Sequence, residues 1–108
     1  MSPHMKFLKQ EEFRILLLNS HQELIRIQTV AIGVLDAAIV EPASVFRPAI
    51  AIGAKSIVVV HNHPSGDPTP SEQDIIMTQQ LCMCGKLMGI EILDHVIIGL
   101  REMNLIPE

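Results

Sequence analysis

The chain has no tryptophan and no tyrosine, and its aromatic side chains are Phe7, Phe13 and Phe46. Its core must therefore be aliphatic, built from Ile, Val, Leu, Ala and Met. Base-stacking platforms need aromatic rings or arginine, and both are scarce. Basic charge is short as well: 8 Lys and Arg stand against 12 Asp and Glu, for a net charge of -4 and a pI near 5.7. Nucleic-acid binders show the opposite balance, so direct nucleic-acid binding is not expected of this domain. No uninterrupted apolar run, Ile57–Val60 among them, is long enough to span a bilayer. Two cysteines, Cys82 and Cys84, are too few for a disulfide framework. They read as reduced side chains of a cytoplasmic protein, in the core or half-buried, about 200° apart if the segment is helical.

What is present is apolar. The 108 residues are 48% hydrophobic and 19% charged, with a mean hydropathy of +0.34. That composition excludes disorder and fits one packed domain. Met1–Met5 reads as a tag or disordered start, and residues 6–108 as the domain. Phe13–Leu18 is an apolar strand closed by a turn at Asn19-Ser20-His21. Leu24–Ile32 alternates and pairs antiparallel with it through that turn; Ala37–Val40 reads as a strand end. Pro42 opens a helix over Ala43–Ile52, which Pro48 should kink or shorten, with Gly53 as its C-cap. Ser56–Val60 is β-branched throughout, the mark of a buried central strand. After a proline-rich loop, a second helix starts at Ser71 and ends near Gly85 or Gly89. Ile90–Ile98 is the last strand expected. The sum is an α/β domain, a mixed sheet flanked by two helices.

One stretch carries chemistry. His61 and His63 lie at the end of the buried strand, and side chains two apart in extended backbone leave the same face about 7 Å apart. Asp74 follows in the first turn of the second helix. A loop stiffened by Pro64, Pro68 and Pro70 can fold that helix start back over the strand end. Two imidazoles and one carboxylate form a catalytic zinc set that leaves a position open for water, and zinc lowers the pKa of such water to about 7. Ser71, one turn before Asp74, is a candidate donor to an oxyanion. Each piece also has a plainer reading. A His-x-His pair at a strand end is often structural or exposed, and Ser71-x-x-Asp74 is the pattern of a helix N-cap. The combination, in order along HNHPSGDPTPSEQD, favours the site.

That segment, residues 61–74, resembles the signature of the RadC-type branch of the JAB1/MPN/Mov34 (JAMM) domains: an upstream Glu, then His-x-His, seven residues, Ser, two residues and Asp. Leu93–Gly99 (LDHVIIG) resembles a further RadC-branch segment. The resemblance runs from about Glu11 to Gly99. It implies a JAB1/MPN-like, cytidine-deaminase-like fold and a zinc-dependent hydrolase of amide bonds, a metalloprotease or isopeptidase. Its zinc ligands fall on His61, His63 and Asp74, its oxyanion-assisting serine on Ser71, and its general-base glutamate on Glu11, two before Phe13. Alternation sends Glu11 and Glu12 to opposite faces, so one of them alone can serve.

The sequence departs from the RadC pattern in three places. Pro42-Ala43-Ser44 stands where Pro-Arg-Glu is usual, the tail after Gly99 is unlike the usual ending, and no helix-hairpin-helix region precedes Lys6. The chain is thus expected to be an excised domain or a short relative. The other readings that follow are a non-catalytic MPN-type scaffold, with exposed apolar edges supporting a homodimer, and an accessory domain in DNA repair. A nuclease is disfavoured: His61-Asn62-His63 spells HNH, but that nuclease motif is dispersed rather than contiguous. The substrate, peptide or isopeptide in type, is not specified by sequence. Asp94 and His95 read as a satisfied structural pair on opposite faces of a strand. His21 and Asp67 read as turn residues, Met77, Met83 and Met88 as packing, and Asn62 as a brace for the loop.

Overall fold

The computed structural model describes residues 10–33, 40–67, 69–99 and 103–106. The expected start at Met1–Met5, and Ala37–Ala38–Ile39 of the expected strand end, lie outside them. Strand β1 (Glu12–Leu18) turns into β2 (Leu24–Ile32), followed by helix α1 (Pro42–Ala51), β3 (Ser56–Asn62), α2 (Glu72–Met88), β4 (Glu91–Ile98) and β5 (Met103–Ile106). The five strands form one sheet in the order β2-β1-β3-β4-β5. The α/β class expected from sequence holds; β5, paired antiparallel with β4, is an addition to it.

The turn between β1 and β2 is made by Asn19. Its Oδ1 accepts from the backbone N–H groups of His21 (2.9 Å) and Glu23 (3.0 Å). Asparagine mimics a backbone turn in this way. Strand β3 is parallel to β4 and antiparallel to β1, hence also parallel to β2. Both helical crossovers therefore join parallel strands and advance the same way across the sheet. Crossovers of this kind are right-handed, so both helices pack on one face. Val45, Phe46 and Ala49 of α1 and Met77 and Leu81 of α2 share a core with Phe13, Ile15, Leu17, Ile57 and Val59. Alternation carries that face from Ile57 and Val59 on to His61. The site residue thus arrives underneath the helices.

Pro42 occupies the first turn of α1, where a missing N–H costs nothing. Pro48 is inside a helix of only ten residues, which ends four residues later at Ile52. In α2, Ser71 is the N-cap and Gly89 (φ 72°) the left-handed C-cap, so the helix runs through Gly85. Its buried stripe is Asp74, Met77, Thr78, Leu81 and Gly85. Of the three methionines expected to pack, Met77 does; Met83 and Met88 lie off that stripe and are exposed. Cys82 and Cys84 are half-buried against the core. Among the described residues no helix is long and apolar enough to cross a membrane.

Gly85 is required by close approach. A Cβ there would collide with the backbone carbonyl oxygen of Ile90, which cannot swing aside. Gly85→Ala is expected to lower stability by about 1–3 kcal/mol, the usual cost of overpacking. A denaturation midpoint equal to that of the parent chain would remove this contact from the account.

Candidate metal centre

The site lies where β3 ends, β1 begins and α2 begins. His61 is buried at the end of β3, and the His63 ring stands 4.9 Å from its ring, nearly perpendicular to it. Phe13, opposite His61 in the β1–β3 register, packs its ring 6.0 Å away. The loop after His63 is folded by its own polar groups. Thr69 N–H donates to Asp67 Oδ1 at 2.9 Å, so Asp67 does form a turn.

That turn also brings the Asp67 carbonyl oxygen to 2.9 Å from His63 Nδ1. A carbonyl only accepts, so Nδ1 carries a proton and Nε2 is the nitrogen turned toward the site. Such an outer contact fixes a histidine's tautomer for metal ligation. Nε2 faces the Asp74 carboxylate at 3.1 Å. On the other side, Asp74 Oδ1 lies 3.2 Å from His61 Nδ1.

Asp74 is held by the helix start. Its Oδ2 accepts from Ser71 N–H at 2.8 Å, while Ser71 Oγ accepts from Asp74 N–H at 3.0 Å, a reciprocal capping box. Ser71 is therefore an N-cap, and its oxygen accepts in that role. Burial alone would raise the Asp74 pKa. Its contacts with His61 and the Ser71 backbone outweigh burial and hold the carboxyl well below the usual range. It is ionised at neutral pH.

One ligand atom each from His61, His63 and Asp74 fall within 4.8 Å of one another. Both ring nitrogens of His61 are buried and make no aligned hydrogen bond among the described residues. Buried polar groups normally have partners, so this is the environment of a group awaiting one. A divalent cation of the zinc type fits the two imidazoles and the carboxylate.

Glu11 and Glu12 diverge, as alternation predicts. Glu12 pairs with Arg14 at 2.9 Å. The Glu11 carboxylate lies 3.5 Å from His61 Nε2. The segment that carries it is tied to Asn62, whose side chain bonds Glu12 N–H and the Gln10 carbonyl. Asn62 thus braces the start of β1 and not, as expected, the loop after His63: its side chain leaves the far face of β3, away from that loop.

Two residues border the site: Thr78, left unassigned by sequence, and His95, read from sequence as structural. His95 of β4 is fully buried, 6.0 Å ring to ring from His61 and 5.8 Å from Phe13. The hydroxyl of Thr78 donates to the Asp74 carbonyl oxygen at 2.7 Å, so His95 Nδ1 donates to Thr78 Oγ1 at 2.6 Å. Its Nε2 has no hydrogen-bond partner among the described residues. Asp94 and His95 do face differently, but the histidine's partner is Thr78, and it is satisfied on one side only. Burial pushes its pKa down to about 4, with the His61 ring adding to the effect. Nothing in a run of apolar residues announces a bond to a threonine 17 positions earlier.

The sequence as a whole matches the family model of the RadC-like JAB domain over residues 1–105. The chain belongs to the RadC-like JAB domain family. UPF0758 proteins are similar to it: 54% identity over 104 residues in Geobacillus thermodenitrificans and 55% over 104 in Halalkalibacterium halodurans, each covering 96% of this chain. Another, from Bacillus cereus strain B4264, is 52% identical over 99 residues, 92% of this chain. The chain spans less than half of these relatives, 46%, 45% and 44% of their respective lengths. In this member of the family His61, His63 and Asp74 lie close together in a JAMM-like arrangement.

Proposed function

We propose that this RadC-like JAB domain is a zinc-dependent hydrolase that cleaves an amide bond of peptide or isopeptide type. The observation that carries the reading is the convergence of His61, His63 and Asp74 around His61 nitrogens that are buried without a hydrogen bond. Those three residues would hold the ion, and the chemistry zinc supplies when so held is Lewis acidity toward water and a carbonyl oxygen.

The chain's own groups would do the rest. The Asp67 carbonyl holds His63 Nδ1, so that Nε2 is the nitrogen presented to the ion. Ser71 N–H and the capping box keep the Asp74 carboxylate ionised and aimed at the imidazoles. Glu11 is a base that is not itself a ligand: it takes a proton from the attacking water and passes it to the leaving nitrogen as the C–N bond breaks. Ser71 Oγ accepts from Asp74 N–H, which leaves its own O–H to donate to the carbonyl oxygen as that becomes anionic.

The 108-residue chain purified without chelator is expected to hold close to one zinc per molecule by elemental analysis. Glu11→Gln is expected to hold the same amount and to lose at least about 100-fold in cleavage of a mixed peptide pool, the low end for loss of a general base. A parent chain without zinc sinks the reading. A second reading, assembly without catalysis, draws on the edge strand β2, where Leu24, Ile25, Ile27 and Ile32 are all about half exposed. Bound zinc with equal, negligible cleavage by parent and Glu11→Gln would favour it.

A further inference from the structure

Asn62 lies between the two histidines in sequence, yet its side chain leaves the other face of β3 and is 1% exposed. Both ends of its amide are used. Oδ1 accepts from Glu12 N–H at 2.5 Å, and Nδ2 donates to the Gln10 carbonyl at 3.0 Å. These two backbone groups flank Glu11. From the opposite edge, Gly33 N–H donates to the Glu11 carbonyl at 2.8 Å. Gly33 holds φ +109°, a conformation that side-chain-bearing residues rarely adopt. The β1–β3 ladder begins only at the Phe13–His61 rung. Residues 10 and 11 therefore lie beyond the regular pairing, where a strand end would fray. Asn62 supplies the rung that the backbone does not.

We infer that Asn62 is a positioning residue that fixes the Glu11 carboxylate over His61. The inference rests on the reading of Glu11 as the proton carrier. Strand alternation gives it a simple physical form: the strand that sends His61 to the metal face sends Asn62 to the far face, where it grips the backbone of the base. Ligand and base are keyed to one strand end. Neither contact of Asn62 involves His61, His63 or Asp74, so its loss would free Glu11 and leave the ligands in place.

The full chain loaded with Co2+ tests this by visible spectroscopy. A carboxylate beside the ion opposes ionisation that makes the centre more negative, and removing that charge lowers the midpoint of the spectrum's pH titration. Glu11→Gln is expected to lower it by about one unit. Asn62→Ala is expected to lower it by at least about half as much, with less than the roughly tenfold loss of Co2+ affinity that follows removal of a residue touching a ligand. The double variant is expected to move no further than Glu11→Gln alone, the mark of two residues acting as one. If Asn62→Ala fails to fold, Asn62→Ser, which keeps a hydroxyl and loses the double contact, carries the same comparison. A midpoint for the Asn62 variant at the parent value, or a double variant shifted by the sum of the two, overturns the inference while Glu11 keeps its role. An unmoved midpoint in Glu11→Gln sinks the base reading itself, and the inference with it.

Discussion

His63→Ala is expected to purify without zinc and to lack the thermal stabilisation that zinc is expected to give the parent chain. His63 lies 3.1 Å from the Asp74 carboxylate and is oriented by the Asp67 carbonyl at 2.9 Å. Removing an outer partner of a ligand typically costs 10–100-fold in metal affinity, so removing the ligand should cost more than about 100-fold. The consequence for stability follows by mass action. With zinc at about 100 times its dissociation constant, the parent gains about 2.7 kcal/mol. At the same zinc concentration a variant 100-fold weaker gains only about 0.4 kcal/mol. For a domain of this size about 1 kcal/mol moves Tm by roughly 4–8 °C. Zinc should therefore raise the parent's Tm by more than about 10 °C and the variant's by about 2–3 °C. His21, an exposed histidine in the β1–β2 turn, is the control. His21→Ala should keep both the zinc and the shift. A His63→Ala chain with the parent's metal content and the parent's shift would mean that the ion, if any, sits elsewhere.

The parts of the molecule that could be read from sequence are those whose cause is local. Leu24–Ile32 has the predicted bounds because alternation and Gly33 are both visible in the chain. Ser71 and Gly89 bracket α2 because capping is a matter of a few neighbouring residues. The same is true of the His-His-Asp cluster, where two residues on one strand face and a short stiff loop suffice to bring His61, His63 and Asp74 together. What could not be read depends on register between distant segments. Asn62 grips residues 50 and 52 positions earlier, and the choice of those partners is set by the β1–β3 pairing. His95 borders the site because the parallel β3–β4 pairing places it opposite Val59. Met83 and Met88 were misplaced for a different reason. Composition says that methionine packs, but the buried stripe of α2 is narrow, and the next positions around the helix face outward.

His95 leads to the other large effect, a loss of stability in mild acid that begins before carboxylates protonate. Burial holds its pKa near 4 in the fold, against an ordinary value of 6.5. Above pH 6.5 the ring is neutral in both the folded and unfolded chains and contributes no pH dependence. Between 6.5 and about 4 the unfolded chain takes up a proton that the folded chain does not, so unfolding is favoured increasingly as pH falls. Below about 4 both states are charged and the contribution levels off. The difference of about 2.5 pH units corresponds to about 3 kcal/mol, a large share of the 5–15 kcal/mol that holds an ordinary domain together. Asp74 acts later and in the same direction. Its carboxyl is depressed in the fold, so the stability it lends is present above its unfolded value of 3.8 and is lost as pH falls below that. The two are separable because their windows differ. In metal-free protein, His95→Asn keeps a side-chain amide for Thr78 and removes the titrating ring. Chemical denaturation across pH 7 to 4 should show the variant losing about 3 kcal/mol less than the parent, whatever its starting stability. His61, whose ring is 6.0 Å away, adds to the His95 shift and is therefore part of the measured difference. Parallel curves would mean that His95 is protonated or hydrated in the fold. The neutral ring beside His61 would then no longer describe the rear wall of the site.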